Sequence, residues 1–414
     1  MPIKKSWEKT KDVLQGFSMK AERLSSDKQY LKMNGDKITK PVVEYGSELI
    51  LVFTGVTGFE EKDDKVFLGA SLSVENEHGR EVMSRDDLFE RYTETGIDPK
   101  DAETISLAIT LKYPLVGACK YTWKMCVWDK VGTGEILAEQ ALNVVYPVSL
   151  VSVQDSDLSV TGAGLFLYRE FLSKSEIKFG QDVNCVLSNI TGFTPRDDRF
   201  FFGASMSVID SSGVEVFKTG DLLEENGDKG MDPDEIHPLT VTLTAGSPLK
   251  GGSSYKWTIR VWDKNSSNKL LASIDDLKVL KNETPLEITC DGLESADQAI
   301  LVDGDWVPDL DVRENQAIKV CFANLSGFSV QEGKIFPGAE ISAFDTDENL
   351  IVNTGDVFED EEAGLDADTD QINLKCNSQD PLKPGNQYEL QFRIWDKKSD
   401  AVLKARIKIK IREE

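Results

Sequence analysis

The sequence predicts an all-β protein: three tandem antiparallel β-sandwich domains behind a short N-terminal α-helix. Three observations predict it. One set of residues returns three times at a constant spacing, apolar residues inside each copy alternate with period two, and residues 1–24 instead space their apolar residues as a helix does. The chain then divides into a helix over 1–24 and sandwich repeats over 25–147, 148–283 and 284–414.

In the first segment Trp7, Leu14, Phe17, Ala21 and Leu24 recur near helical spacing among Lys, Glu and Asp. An amphipathic helix docked on the first sandwich satisfies that pattern. A partner-binding or self-associating segment satisfies it too, with Trp7, Leu14 and Phe17 as its contacts.

The repeat is anchored by Gly58-Phe59, Gly192-Phe193 and Gly327-Phe328, which lie 134 and then 135 residues apart. Gly69-Ala70, Gly203-Ala204 and Gly338-Ala339 keep that register, as do Asp87, Asp221 and Asp356. Farther on come Pro114-Leu115, Pro248-Leu249 and Pro381-Leu382, then Trp128-Asp129-Lys130, Trp262-Asp263-Lys264 and Trp395-Asp396-Lys397. So many coincidences in one register mean one fold written three times.

Within a copy the strands announce themselves by alternation. Leu49, Leu51 and Phe53 match Val183, Cys185 and Leu187, and Ile318, Val320 and Phe322. Tyr121, Trp123, Met125 and Val127 face one way while Thr122, Lys124 and Cys126 face the other. A strand with one apolar face must pair across a sandwich to bury it. Turn residues after each Trp-Asp-Lys triplet predict a hairpin, and the final strand alternates Ala405, Ile407, Ile409 and Ile411 with Arg406, Lys408, Lys410 and Arg412, a basic face suited to an exposed edge. The junctions at Tyr146-Pro147 and Asn282-Glu283-Thr284-Pro285 carry proline and no Gly/Ser tract, which predicts semi-rigid linkage.

Composition narrows the function classes. The 414 residues hold 47 Lys and Arg against 72 Asp and Glu, a net charge of −25 that repels a phosphate backbone and disfavours nucleic acid. No stretch approaches 18 consecutive apolar residues, and the N-terminus never enters the apolar run of a signal peptide, so a cytoplasmic protein without a transmembrane segment is expected. None of the six cysteines recurs in all three copies, as a disulfide framework would; they read as reduced fillers. The only histidines are His78 and His237, and no nucleophile elbow, zinc-protease or phosphate-loop signature is present. The sequence therefore predicts no enzyme and no catalytic residue.

Two patterns remain as candidate sites. The run Gly364-Leu365-Asp366-Ala367-Asp368-Thr369-Asp370 alternates carboxylates, and Asp366, Asp368 and Asp370 are the residue type a calcium ion takes from a flexible loop. The counterpart loops place Lys100 in one and no distal glutamate in any, so the competing reading makes the recurring aspartate a turn or helix cap. Counting along their strands puts Trp128, Trp262 and Trp395 on the polar side. There an indole could stack on a partner, or could close the end of the core where a strand twists or bulges.

Val127-Trp128-Asp129 and Val261-Trp262-Asp263 resemble the Val-Trp-Asp that precedes a calcium loop of C2 domains, which are β-sandwiches of this size. Where those domains place a second aspartate two positions on, this chain has Val131, Asn265 and Lys398, so the resemblance implies the sandwich and not the calcium site. An immunoglobulin-like sandwich describes the pattern equally well. Repetition without catalytic groups points to a non-enzymatic scaffold or protein–protein interaction module, a subunit of a larger assembly. Competing readings are an exported or surface module binding glycan or receptor, and a calcium-dependent membrane-binding module.

Overall fold

The computed structural model describes residues 16–226, 229–232, 238–303, 305–306 and 310–412. It is 57% strand and 2% helical, with several antiparallel sheets. The sheets fall into three sequential sets of the same topology.

In the first set, one sheet runs in the order Phe17–Glu22, Glu135–Val145, Cys119–Asp129, Leu68–Asn76, Glu81–Arg85, with Val42–Glu44 parallel to Glu135–Val145. The facing sheet runs Thr104–Thr110, Glu48–Thr54, Lys28–Met33, Asp36–Ile38. In the second set Ser152–Ser156, Lys269–Leu280, Ser253–Asp263, Phe202–Asp210 and Glu215–Lys218 face a sheet containing Gly162–Leu167, Asp182–Ser188 and Leu239–Thr244. The third repeats this with Glu287–Asp291, Val402–Arg412, Gln387–Asp396, Pro337–Phe344 and Leu350–Asn353 over Glu294–Val302, Ala317–Ser326 and Gln371–Asn377.

The period-two reading holds residue by residue: in Cys119–Asp129 the side chains of Tyr121, Trp123, Met125 and Val127 are buried while those between them are partly exposed. They meet Leu49, Leu51 and Phe53 of the facing sheet in one apolar cluster, a sandwich-like arrangement made again around Trp257 and around Phe392. The recurring Gly-Phe pair has a steric cause. Gly58, Gly192 and Gly327 have φ of +103°, +99° and +99°, and an added Cβ would come within 2.2, 2.1 and 1.9 Å of the carbonyl oxygens of Arg23, Asp157 and Gly292. Only glycine lets that loop lie against the preceding segment.

Three expectations need correction. The helix over 1–24 gives way to a strand in its described part: Phe17–Glu22 pairs antiparallel with Glu135–Val145, from Phe17 opposite Gln140 to Glu22 opposite Glu135. Phe17, Met19 and Ala21 fit period two as well as Phe17, Ala21 and Leu24 fit a helix, and the free edge of a long strand decides for the former. The first copy therefore starts before residue 25. The basic strand Val402–Arg412 is no edge, because it lies between Glu287–Asp291 and Gln387–Asp396, and Arg406 pairs with Glu287 at 2.5 Å. Finally, all six cysteines are free, yet not all are core fillers: Cys290 is exposed.

Candidate functional site

The three Trp-Asp-Lys triplets each close a polar knot at the same place. Trp128, Trp262 and Trp395 stand directly opposite Gly69, Gly203 and Gly338 on the neighbouring strand. An added Cβ on those glycines would come within 2.2, 2.2 and 2.1 Å of the indoles. The recurring glycine therefore makes a flat seat for the ring. The tryptophans do lie on the outer side of the sheet, half-buried, and the ladder passes through them with no register shift, so neither a bulge nor a core plug accounts for them. Arg260 and Arg393 place guanidinium groups 5.4 and 4.7 Å from the rings of Trp262 and Trp395.

The aspartate of each triplet is buried and accepts hydrogen bonds from loops on two sides. Asp129 accepts from the Glu60 N–H at 2.7 Å and the Val131 N–H at 3.0 Å. Asp263 accepts from the N–H groups of Thr194 and Asn265, both at 2.9 Å, and from Ser266 Oγ at 2.6 Å. Asp396 accepts from Ser329 N–H at 2.9 Å, Lys398 N–H at 3.0 Å and Ser399 Oγ at 2.7 Å. The lysine turns back to the recurring upstream aspartate: Lys130 to Asp87 at 2.7 Å, Lys264 to Asp221 at 2.6 Å, Lys397 to Asp356 at 2.7 Å.

Burial by itself raises the carboxyls of Asp87, Asp221 and Asp356. The lysine and two backbone N–H donors on each outweigh that penalty and hold them below the ordinary aspartate range. Asp263 and Asp396 are held low in the same way, by their hydroxyl and backbone donors. These charges are consumed in fixing loops.

The acidic run of the third copy does not converge. Asp366 lies in the short strand Leu365–Asp366 and meets Lys334 Nζ at 2.5 Å. Asp368 is exposed, and Asp370 accepts a hydrogen bond from Ser247 Oγ of the preceding copy. Among the described residues no group of three or more His, Cys, Asp or Glu is placed to hold a metal ion. In the first copy the counterpart Asp98 is the N-cap of the helical turn Pro99–Ala102, accepting from Lys100 N–H at 3.1 Å. Of the N-terminal contact residues, Trp7 and Leu14 lie outside the described residues, as does His237, and Phe17 is half-buried in its strand.

Sequence reasoning missed the junctions between copies. At the first, Ser188 Oγ donates to the Gly117 carbonyl at 2.8 Å, Thr161 Oγ1 to the Ala118 carbonyl at 2.5 Å, and Asn189 Nδ2 to Glu77 at 2.6 Å. Phe166 packs edge-on against Tyr45 at 5.5 Å, and Phe171 stacks on Tyr146 at 5.2 Å. Phe166 and Val186 thereby join the apolar cluster of the first copy. At the second, Asp297 accepts from the Gly251 N–H at 3.0 Å, and Asn324 Nδ2 donates to the Leu249 carbonyl at 3.2 Å. Asn282 Nδ2 donates to Phe179 O at 2.5 Å and Gln298 O at 3.1 Å, while Ala299, Cys321 and Ala323 join the cluster of the second copy. The signal available was the run Pro-Leu-Val-Gly at 114–117 and Pro-Leu-Lys-Gly at 248–251, which becomes Pro-Leu-Lys-Pro at 381–384.

No helix among the described residues is long and apolar enough to cross a membrane. No protein-family model matches the chain, and no curated protein matches it. Among solved structures it is similar to the α2-macroglobulin of Salmonella reacted with methylamine, at 11% identity and a TM-score of 0.18 over 93% of this chain and 23% of that one. It is similar also to native E. coli α2-macroglobulin, at 10% identity and TM-score 0.17 over 96% of this chain and 25% of that one. A third similarity, at 10% identity and TM-score 0.16, is to a structure from a 1.5-MDa bacterial ice-binding adhesin, covering 94% of this chain and all of that one. The chain thus spans about a quarter of the macroglobulin chains.

Proposed function

We propose that the chain is a non-enzymatic scaffold or protein–protein interaction module, built from three β-sandwich domains of immunoglobulin-like or C2-like type and acting as a subunit of a larger assembly. The observation that carries this reading is the pair of junctions: buried aromatic or small apolar side chains and at least three hydrogen bonds tie each copy to the next. Fixed spacing between similar surfaces is what a scaffold offers its partners. The thrice-recurring charged groups support the reading as well, since their bonds hold loops.

Affinity capture from the native source tests it, with the full chain and a chain lacking residues 1–15 as baits. The expected result is a partner recovered in fixed proportion to the full-length bait. Loss of that partner on truncation assigns recruitment to the N-terminal segment, and retention assigns it to the sandwiches. A bait that elutes alone overturns the reading.

A further inference from the structure

The docking surfaces have two sides, and the registers give their equivalents in every copy. On the receiving side, the pair Gly164 and Val186 of the second copy corresponds to Ala299 and Cys321 of the third and to Tyr30 and Val52 of the first. Gly164 and Ala299 admit the preceding copy: a Cβ on Gly164 would lie 2.8 Å from Tyr146, and a Cβ on Gly180 would lie 2.6 Å from Ala299. The first copy puts a bulky Tyr30 there, with Lys37 Nζ 4.9 Å and Lys32 Nζ 5.8 Å from its ring centroid. Val52 is 4% exposed, as Val186 is 7% and Cys321 4%.

On the donating side, Tyr45 is 5% exposed and packs against Phe166 of the next copy, Phe179 is 0% exposed in one cluster with Ala299 and Cys321 of the next, and the equivalent residue of the third copy is Glu314, which is exposed. The buried Gly117 and Gly251 correspond to Pro384, each four residues before the recurring tyrosine. Proline has no N–H to match the Gly251 donor to Asp297, and its ring occupies the space that Asp297 takes within 2.4 Å of an added Cβ.

We infer that Tyr30 at one face and Glu314 with Pro384 at the other keep a copy of the module from docking there as the copies dock on each other, so chains do not join head to tail through these faces. The inference rests on the modular reading above. Terminal repeats with polar or blocked outer faces serve the same end in other repeat arrays, where an open docking face generates filaments.

The test uses the full chain in sedimentation velocity over a hundredfold concentration range, with zero-length carbodiimide cross-linking between isotopically mixed chains. The wild type is expected to give no cross-link from Glu314 of one chain to Lys28, Lys32 or Lys37 of another; such a cross-link overturns the inference. A chain carrying Tyr30→Ala, Glu314→Phe and Pro384→Gly is expected to associate with concentration, and one that folds by circular dichroism yet sediments as the wild type overturns it. Ala299→Tyr separates the two levels of the argument. An increase in radius of gyration by X-ray scattering supports docking as such, so failure of the triple variant then refutes only the capping. An unchanged radius refutes the modular docking itself.

Discussion

Trp128 stands opposite Gly69 on adjacent strands, so close that a single added methyl on the glycine would lie 2.2 Å from the indole. The relationship returns at Trp262 with Gly203 and at Trp395 with Gly338, and it explains why both residues recur. An outer-face tryptophan is worth keeping half-buried only if its partner strand offers it a flat seat.

Gly69→Ala, Gly203→Ala and Gly338→Ala are therefore expected to cost about 2 kcal/mol each, by overpacking against the ring. Urea unfolding measures it. The matched Trp128→Ala change should remove most of the penalty of Gly69→Ala, because the clash goes with the ring; additive costs would show that ring and glycine act separately.

Stability should fall in acid. Asp87, Asp221, Asp263, Asp356 and Asp396 sit below the ordinary aspartate value in the folded chain. Below about pH 4 the unfolded chain takes up protons that these folded carboxyls refuse. Stabilisation present above that pH is lost as pH falls toward the folded values. Asp297 works the other way, since burial raises its carboxyl, so its share costs stability at neutral pH and is relieved in acid. Melting temperature measured from pH 6 to pH 2 should drop, and Lys264→Met should flatten the drop by freeing Asp221. An unchanged slope would contradict the pairing.

Thiol labelling should separate the cysteines. Cys290 is exposed, whereas burial pushes the thiols of Cys185 and Cys321 up to about 12. A maleimide at neutral pH is expected to modify Cys290 first and to reach Cys185 and Cys321 only on unfolding, read by peptide mass.

Truncation separates two readings of the N-terminus. A chain lacking 1–15 keeps the strand Phe17–Glu22 and serves as the reference. Removing 1–24 strips that strand from Glu135–Val145 and takes the buried Leu24, and should cost about 3 kcal/mol or more. Equal melting of the two would mean the strand adds nothing.

Millimolar calcium is expected to leave the melting temperature unchanged, because Asp366 and Asp370 are bound to Lys334 and Ser247. A rise that grows with calcium concentration would show a bound ion by mass action.

Much of the fold was legible in the residues. Period-two runs such as Leu49, Leu51 and Phe53 can bury their apolar side only in a layered β structure, and the three-fold register fixed which strands correspond. The first strand of each copy escaped notice because Phe17–Glu22, Ser152–Ser156 and Glu287–Asp291 have a single apolar position in common, the half-buried Met19, Val153 and Ile288, and are otherwise joined to their neighbours backbone to backbone.

Sequence by itself determined the local instructions: alternation, turns and the glycines that recur. Which residues those glycines serve, why Trp128 rests on Gly69, and how Gly117 meets Ser188 were decided only by the tertiary structure. Alternation along a strand says which way a side chain points, whereas contact depends on what folds back across from it, and residues 71 positions apart carry no mark of that in one dimension.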